Sequence, residues 1–172
     1  MNVAQTERLT LRELGPGDAE FILELLNTPS WKRFIGDRGV TTVAEAEQFI
    51  RNRMMKSYME LGFGFFRTAL KENDIPIGIC GMVKRDTLDH TDLGFAFLPE
   101  YEGKGYGMES SLAMLEYART VHGLKKIAAI TNRDNERSIS LLRKLGFQFE
   151  KLVTLPGESM EIMLFLKSFE PA

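Results

Sequence analysis

The sequence predicts a mixed α/β fold of the α+β type, with about seven mostly antiparallel strands flanked by about four helices. Three observations lead there. The chain of 172 residues is 44% hydrophobic and 27% charged with only 6 prolines, a composition suited to burying one core. Three strand-like runs follow one another in its middle as an antiparallel meander, and strand and helix patterns alternate on either side of them. No repeat, low-complexity segment or linker breaks this order, so residues 1–172 are expected to form a single domain.

The opening TERLTLREL alternates Leu9 and Leu11 with polar neighbours and reads as a strand. A helix follows in GPGDAEFILELL, where Asp18 is the expected N-cap and Phe21, Ile22, Leu25 and Leu26 share a face. After a loop, NTPSWKRFIGDRGV, the pair Thr42 and Glu45 has capping-box spacing, and Ala46, Phe49, Ile50 and Met54 recur at helical intervals. The meander comprises Gly64 to Leu70, Ile77 to Arg85 and Asp92 to Leu98, separated by turn-rich KENDIP and DTLDHT. Met108, Leu112, Leu115 and Ala118 then mark a helix, KKIAAIT a buried strand, and NERSISLLRKLG a helix ended by Gly146. Two closing strands, FQFEKLVTL and MEIMLFLK, complete the chain.

Composition narrows the function. Net charge is −2 and no basic block occurs, so no nucleic-acid partner is expected. No apolar run approaches the roughly 20 residues of a membrane helix, and the start lacks a charged end followed by an apolar stretch. A cytoplasmic protein without a membrane partner is therefore expected. Cys80, the single cysteine, lies in apolar IGICGMV with no neighbouring base, and two distant histidines make a poor metal set, so no metal is expected.

The segment that asks for a ligand is LGFAFLPEYEGKGYGMESSLAMLEYA, which sets Gly103, Gly105 and Gly107 between a strand and a helix. N–H groups of a first helical turn have no intrahelical partner, and the helix dipole adds positive character there. Glycines can aim such groups into one concavity and let a pyrophosphate approach, with Lys104 adding a charge. A tight strand-to-helix connection would use the same glycines for geometry alone. Neither the GxGxxG order nor the GKS/GKT ending of nucleotide-binding loops is present, since Tyr106 follows the second glycine.

Taken together, DLGFAFLPEYEGKGYGMESSLAMLEYA, ITNRDNERSISLLRKLGF and the entry NTPSWKRFIGD with TTVAEAEQFI resemble the GNAT-superfamily N-acetyltransferases of the RimJ/RimL-like branch over nearly the whole chain. The resemblance implies a splayed parallel strand pair at the cofactor site and transfer of an acetyl group from acetyl-CoA to a primary amine, either a protein N-terminus or a small-molecule amine. It implies a pyrophosphate cradle from Gly103, Lys104, Gly105, Tyr106, Gly107 and Met108, and backbone pairing of the pantetheine arm with Phe95, Ala96 and Phe97. Asn132 and Asn135 would bond the pantetheine amides. A homodimer is a further expectation by likeness. Two departures stand out: Glu102, where relatives often carry Gln, Arg or Trp, is expected to face solvent, and Leu142 stands where many carry a tyrosine acid. Both departures motivate the alternative of a non-catalytic acyl-CoA-binding or sensing protein on the same fold.

Transfer to an amine needs a neutral nucleophile and a proton for the departing thiolate. Asp92 occupies the position where many family members carry a base, although it also reads as a plain strand-edge carboxylate; Glu158 and Glu161 compete for the role. Ser138 is the implied acid, and Asn135 and Ser138 equally suit an N-cap and first turn. At pH 7 an α-amine is roughly a tenth neutral and a lysine about 1 part in 2,500, a gap of about 3.5 kcal/mol, so a weak base suffices for the former. Trp31 in PSWKRFIG serves either as a core lid or as an acceptor-pocket wall.

Overall fold

The computed structural model describes residues 2–169. Its strands are β1 (Asn2–Gln5), β2 (Leu9–Glu13), β3 (Phe65–Leu70), β4 (Pro76–Val83), β5 (Asp92–Phe97), β6 (Lys126–Thr131), β7 (Gln148–Val153) and β8 (Ile162–Ser168). They form one sheet in the order β1-β2-β3-β4-β5-β6-β8-β7, antiparallel throughout except for the β5–β6 pair. The expected meander is β3–β4–β5. The additional strand is β1, because TERLTLREL is a turn followed by β2: Thr6 donates its N–H to the Leu9 carbonyl at 2.9 Å and accepts the Leu9 N–H on Oγ1 at 3.0 Å.

The helices are α1 (Ala19–Leu26), α2 (Pro29–Phe34), α3 (Val43–Phe49), α4 (Lys56–Leu61), α5 (Tyr106–Thr120) and α6 (Glu136–Lys144). Helix α2 occupies what reads in sequence as loop. Its start is nevertheless encoded, since Thr28 caps it by accepting the Trp31 N–H and Pro29 takes the first turn, where no N–H is needed. Trp31 on this helix is 5% exposed and packs in the core, which favours the lid over the pocket wall. Thr42 caps α3 as expected, accepting the Glu45 N–H at 3.1 Å. Between α3 and α4 the chain does not stay α-helical: Ile50–Met55 is a π-helical segment. Asp18 stands at the N-cap of α1 but spends its carboxylate on Arg12 and on the Gly15 N–H rather than on the helix.

Core side chains come from both faces of the sheet, with Leu9, Leu11, Ile22, Ile50, Phe66, Met82, Met114, Ile127 and Phe165 fully buried. Tyr58 of α4 stacks on Phe66 at 5.4 Å and Tyr117 of α5 meets the same ring edge-on at 5.8 Å, fixing both helices over β3. Cys80 is buried among these residues, and burial pushes its thiol up to about 11, so it is inert at neutral pH. No helix among the described residues is long and apolar enough to cross a membrane.

The feature that positions the site is an incomplete join. Strand β5 pairs with β4 along its whole length, from Val83 opposite Asp92 to Gly78 opposite Phe97. With β6 it pairs only at Asp92–Ala128 and Leu93–Ala129, and beyond Leu93 the two parallel strands diverge.

Candidate active site

Alternation along β5 decides which backbone groups face this divergence. Leu98 donates its N–H to Ile77 at 2.9 Å and Thr91 accepts the Ala128 N–H at 2.8 Å. Antiparallel pairing then turns Gly94 and Ala96 toward β4, and Phe95 and Phe97 present their N–H and C=O groups to the open side. Of the three residues expected to line a ligand, Ala96 therefore has its backbone engaged within the sheet, and the two phenylalanines do not.

The chain leaves β5 through a single 3-10 turn, Pro99–Tyr101, and enters α5 through the glycine loop. Gly103 has φ 74° and Gly105 has φ 87°, left-handed angles that a side chain would strain. The flanking amides are satisfied: Glu102 donates to Pro99 at 3.2 Å and Glu109 to Gly105 at 3.0 Å. Between them, among the described residues, the six consecutive N–H groups of Gly103, Lys104, Gly105, Tyr106, Gly107 and Met108 donate to no protein acceptor. A Cβ added at Gly103 would meet nothing within 4 Å, whereas one at Gly107 would stand 3.1 Å from Leu141 of α6. The first glycine keeps an approach open, and the third allows α5 to lie close against α6.

Arg8, which sequence reasoning passed over, braces this loop. Its Nε pairs with Glu109 at 2.7 Å, its Nη1 donates to the Lys104 carbonyl at 3.2 Å, and its guanidinium lies 4.3 Å from the Tyr106 ring centre. Thr6 also donates its hydroxyl to Glu109. Glu109 suits the positive end of α5, yet its charge would oppose an anion bound there; Arg8 offsets it. Glu102 is treated alike. Its side chain is partly exposed, and it reaches α6, where it accepts from Arg137 Nη1 at 2.6 Å, with Ser30 Oγ at 3.4 Å. The exposed guanidinium pairs with the carboxylate and offsets its charge. Lys104 is exposed, its ammonium 5.9 Å from the Tyr101 ring.

On the far side of the divergence, Asn135 caps α6 by accepting the Ser138 N–H at 3.3 Å, and Asn132 donates its Nδ2 to the Phe34 carbonyl at 2.9 Å. Both asparagines thus have a structural task at the mouth of the cleft. Among the described residues Ser138 Oγ has no hydrogen-bond partner. Leu142 is 1% exposed and belongs to the core.

Asp92 begins β5 where the join with β6 ends. It is 2% exposed, and burial raises its carboxyl to about 6 against the opposing pull of Arg85. Its Oδ1 lies 3.5 Å from Arg85 Nε, close enough for an ion pair, but neither atom makes a hydrogen bond among the described residues. Glu158 and Glu161, the rival carboxylates, are both exposed. A buried carboxyl that ionises near neutrality suits proton transfer.

The class of protein follows from comparison. Residues 8–148 match the model of the acetyltransferase (GNAT) domain, and the chain belongs to that family. It is 29% identical to the N-acetyltransferase p20 of Bacillus licheniformis over 154 residues, spanning 89% of this chain and 86% of p20. These relationships make it an enzyme, an N-acetyltransferase. The fold is shared with RimL, a ribosomal-protein alpha-N-acetyltransferase solved with coenzyme A, at TM-score 0.83, 13% identity and 98% coverage of both chains. An acetyltransferase (GNAT family) of Bacillus anthracis gives TM-score 0.78, 23% identity and coverage of 95% of this chain and 96% of its own.

Proposed function

We propose that the protein transfers the acetyl group of acetyl-CoA to a primary amine. The observation that carries this reading is the run of six unpaired N–H groups from Gly103 to Met108, set at the end of a cleft edged by the unpaired backbone of Phe95 and Phe97. The loop would hold a pyrophosphate by dipole and hydrogen bonds, and the edge of β5 would pair with an amide-bearing arm as a strand would. ATP has the first element without the second.

Acetyl-CoA supplies an activated thioester carbonyl. Everything else falls to this chain. Asp92 accepts a proton as the amine nitrogen bonds to the acetyl carbon, and the carbon–sulfur bond breaks with the electron pair leaving on sulfur. Ser138, directly or through water, returns a proton to that sulfur; buried Leu142 has none to give. The open N–H groups of Phe95 and Phe97 are the donors that would polarise the carbonyl. Asn132 and Asn135 hold the opposite side of the cleft and offer their remaining amide atoms to the arm.

Calorimetric titration with acetyl-CoA, CoA and ATP, followed by thiol release with peptides, amino acids and polyamines, tests the reading. Binding of acetyl-CoA but not ATP, with thiol release on one class of amine, is expected. Acetyl-CoA that binds no better than ATP would overturn it, and binding without release on any amine would favour an acyl-CoA-binding protein.

A further inference from the structure

Arg8 and Arg137 flank the open N–H run of the glycine loop, and each is paired with a glutamate. Arg8 is committed on several sides at once: Nε to Glu109, Nη1 to the Lys104 carbonyl, and the guanidinium face to the Tyr106 ring. Arg137, in the first turn of α6, is not. Among the described residues its one hydrogen bond runs from Nη1 to Glu102 Oε2 at 2.6 Å. Its side chain is 68% exposed, and the other N–H groups of the fork have no protein acceptor.

Where that bond lies gives it meaning. Glu102 directly precedes Gly103, the first of the unpaired N–H groups, and Arg137 directly precedes Ser138 on the opposite side of the strand divergence. The guanidinium thus sits within one glutamate side chain of the loop, and the pair joins the two sides of the cleft. An anion on the loop would meet Glu102 as a like charge, with Arg137 as the cation already beside it. Exchange of partners costs little. Both members are partly exposed, and such ion pairs stabilise weakly. Glu102 would keep the Ser30 hydroxyl, 3.4 Å from Oε1, and its access to water. Of the acids nearest Arg137 in sequence, Asp134 pairs with Arg33 at 3.4 Å and Glu136 is exposed. Nothing lies within 4 Å of where a Cβ at Gly103 would stand, so the space beside the loop is open.

We infer that Arg137 is a phosphate-binding residue held in reserve by Glu102, exchanging that carboxylate for a phosphate of bound acetyl-CoA. This rests on the acetyl-transfer reading and adds to it a cofactor-binding side chain on α6 and a carboxylate that competes with the ligand. A guanidinium fork fits phosphate as it fits carboxylate, and a phosphate brings more acceptor oxygens to the same donors. Acetyl-CoA offers this chemistry twice, in its pyrophosphate and in its ribose phosphate. Glu102 keeps the fork beside the loop when no ligand is there, and its charge opposes the anion that displaces it.

Equilibrium titration with acetyl-CoA at low salt tests this without any turnover. Arg137→Gln is expected to raise Kd about tenfold, and Arg137→Lys, which keeps the charge and loses the fork, about threefold. Glu102→Gln should act in the opposite sense and lower Kd about threefold. Urea midpoints of all three variants should stay near the parent's, because the pair they alter is partly exposed, so changed binding does not report a lost fold. Acetyl-dephospho-CoA, which keeps the pyrophosphate and lacks the ribose phosphate, locates the contact. A loss in Arg137→Gln that persists with this ligand assigns it to the pyrophosphate, and one that disappears assigns it to the ribose phosphate. Arg137→Gln within about twofold of the parent, Arg137→Lys equal to the parent, or Glu102→Gln weakening binding as Arg137→Gln does would overturn the inference and leave acetyl transfer standing. A parent that binds acetyl-CoA no better than ATP would overturn both.

Discussion

Asp92 is where a single residue's environment makes a testable claim. Its carboxyl is raised to about 6 because burial penalises the charge more than Arg85 favours it. As a base it must be ionised, so kcat/KM should carry a limb that rises through about 6, below the further rise set by the acceptor amine's own ionisation, and the Asp92→Asn profile should lose that lower limb. Stability runs in the opposite sense. A folded value raised from 3.8 means the native state binds the proton more tightly, so the contribution is full below the unfolded value and is lost as pH rises through about 6. Asp92→Asn should therefore gain up to about 3 kcal/mol relative to the parent between pH 4 and 8, read from urea midpoints. A constant difference across that range would mean the carboxyl does not titrate there. Ser138→Ala separates binding from chemistry: turnover should fall about 10- to 100-fold with acetyl-CoA affinity nearly unchanged. Unaltered turnover would remove this hydroxyl from the mechanism.

At the scale of elements, the join between the glycine loop and α5 depends on backbone angles that only glycine adopts cheaply. Gly105→Ala would place a Cβ at φ 87° and 3.2 Å from Arg8 Nη2, so it should cost about 1–2 kcal/mol and disturb the brace as well as the N–H array. Calorimetry should show weaker acetyl-CoA binding, whereas Gly157→Ala, at similar φ but in the β7–β8 connection, should cost stability alone. This loop was legible in the sequence because its signal is local: three glycines, a preceding strand pattern and a following amphipathic run. So were the meander, the Thr42 cap and the Gly146 stop. Less legible were features set by distant residues. Arg8 meets Glu109 and Arg137 meets Glu102 only once the sheet and helices are assembled. Ala96 and its neighbours illustrate a middle case, in which composition names the strand but only pairing register decides which amides face the cleft. The turn within TERLTLREL was hidden for a related reason, since the apolar alternation of β2 continues backward into polar residues that fit a strand or a turn equally well.

Across the whole molecule, the sheet consists of two parts, β1 to β5 and β6, β8, β7, whose strands are joined directly by two residue pairs at Asp92–Ala128 and Leu93–Ala129. Elsewhere the adjoining strands share from three pairs, in β1–β2, to six, in β4–β5, so this seam has the least ladder to resist opening. A ligand whose arm lies along Phe95 and Phe97 would add hydrogen bonds at that seam, and one whose pyrophosphate sits on the α5 loop would tie it to the helix above. Acetyl-CoA at about 100 times its Kd should stabilise the fold by about 2.7 kcal/mol, which for a chain of this size corresponds to roughly 5–10 °C in Tm. Thermal stability alone would follow from binding anywhere, so the discriminating readout is hydrogen exchange. Protection should increase at the amides of Phe95 and Phe97 and at Gly103 to Met108, and should change little at Gly94 and Ala96, which already face β4. An equivalent concentration of ATP should protect the loop at most. If acetyl-CoA raised Tm without slowing exchange at Phe95 and Phe97, the ligand would not be bridging the seam, and the assignment of the β5 edge to its arm would fall.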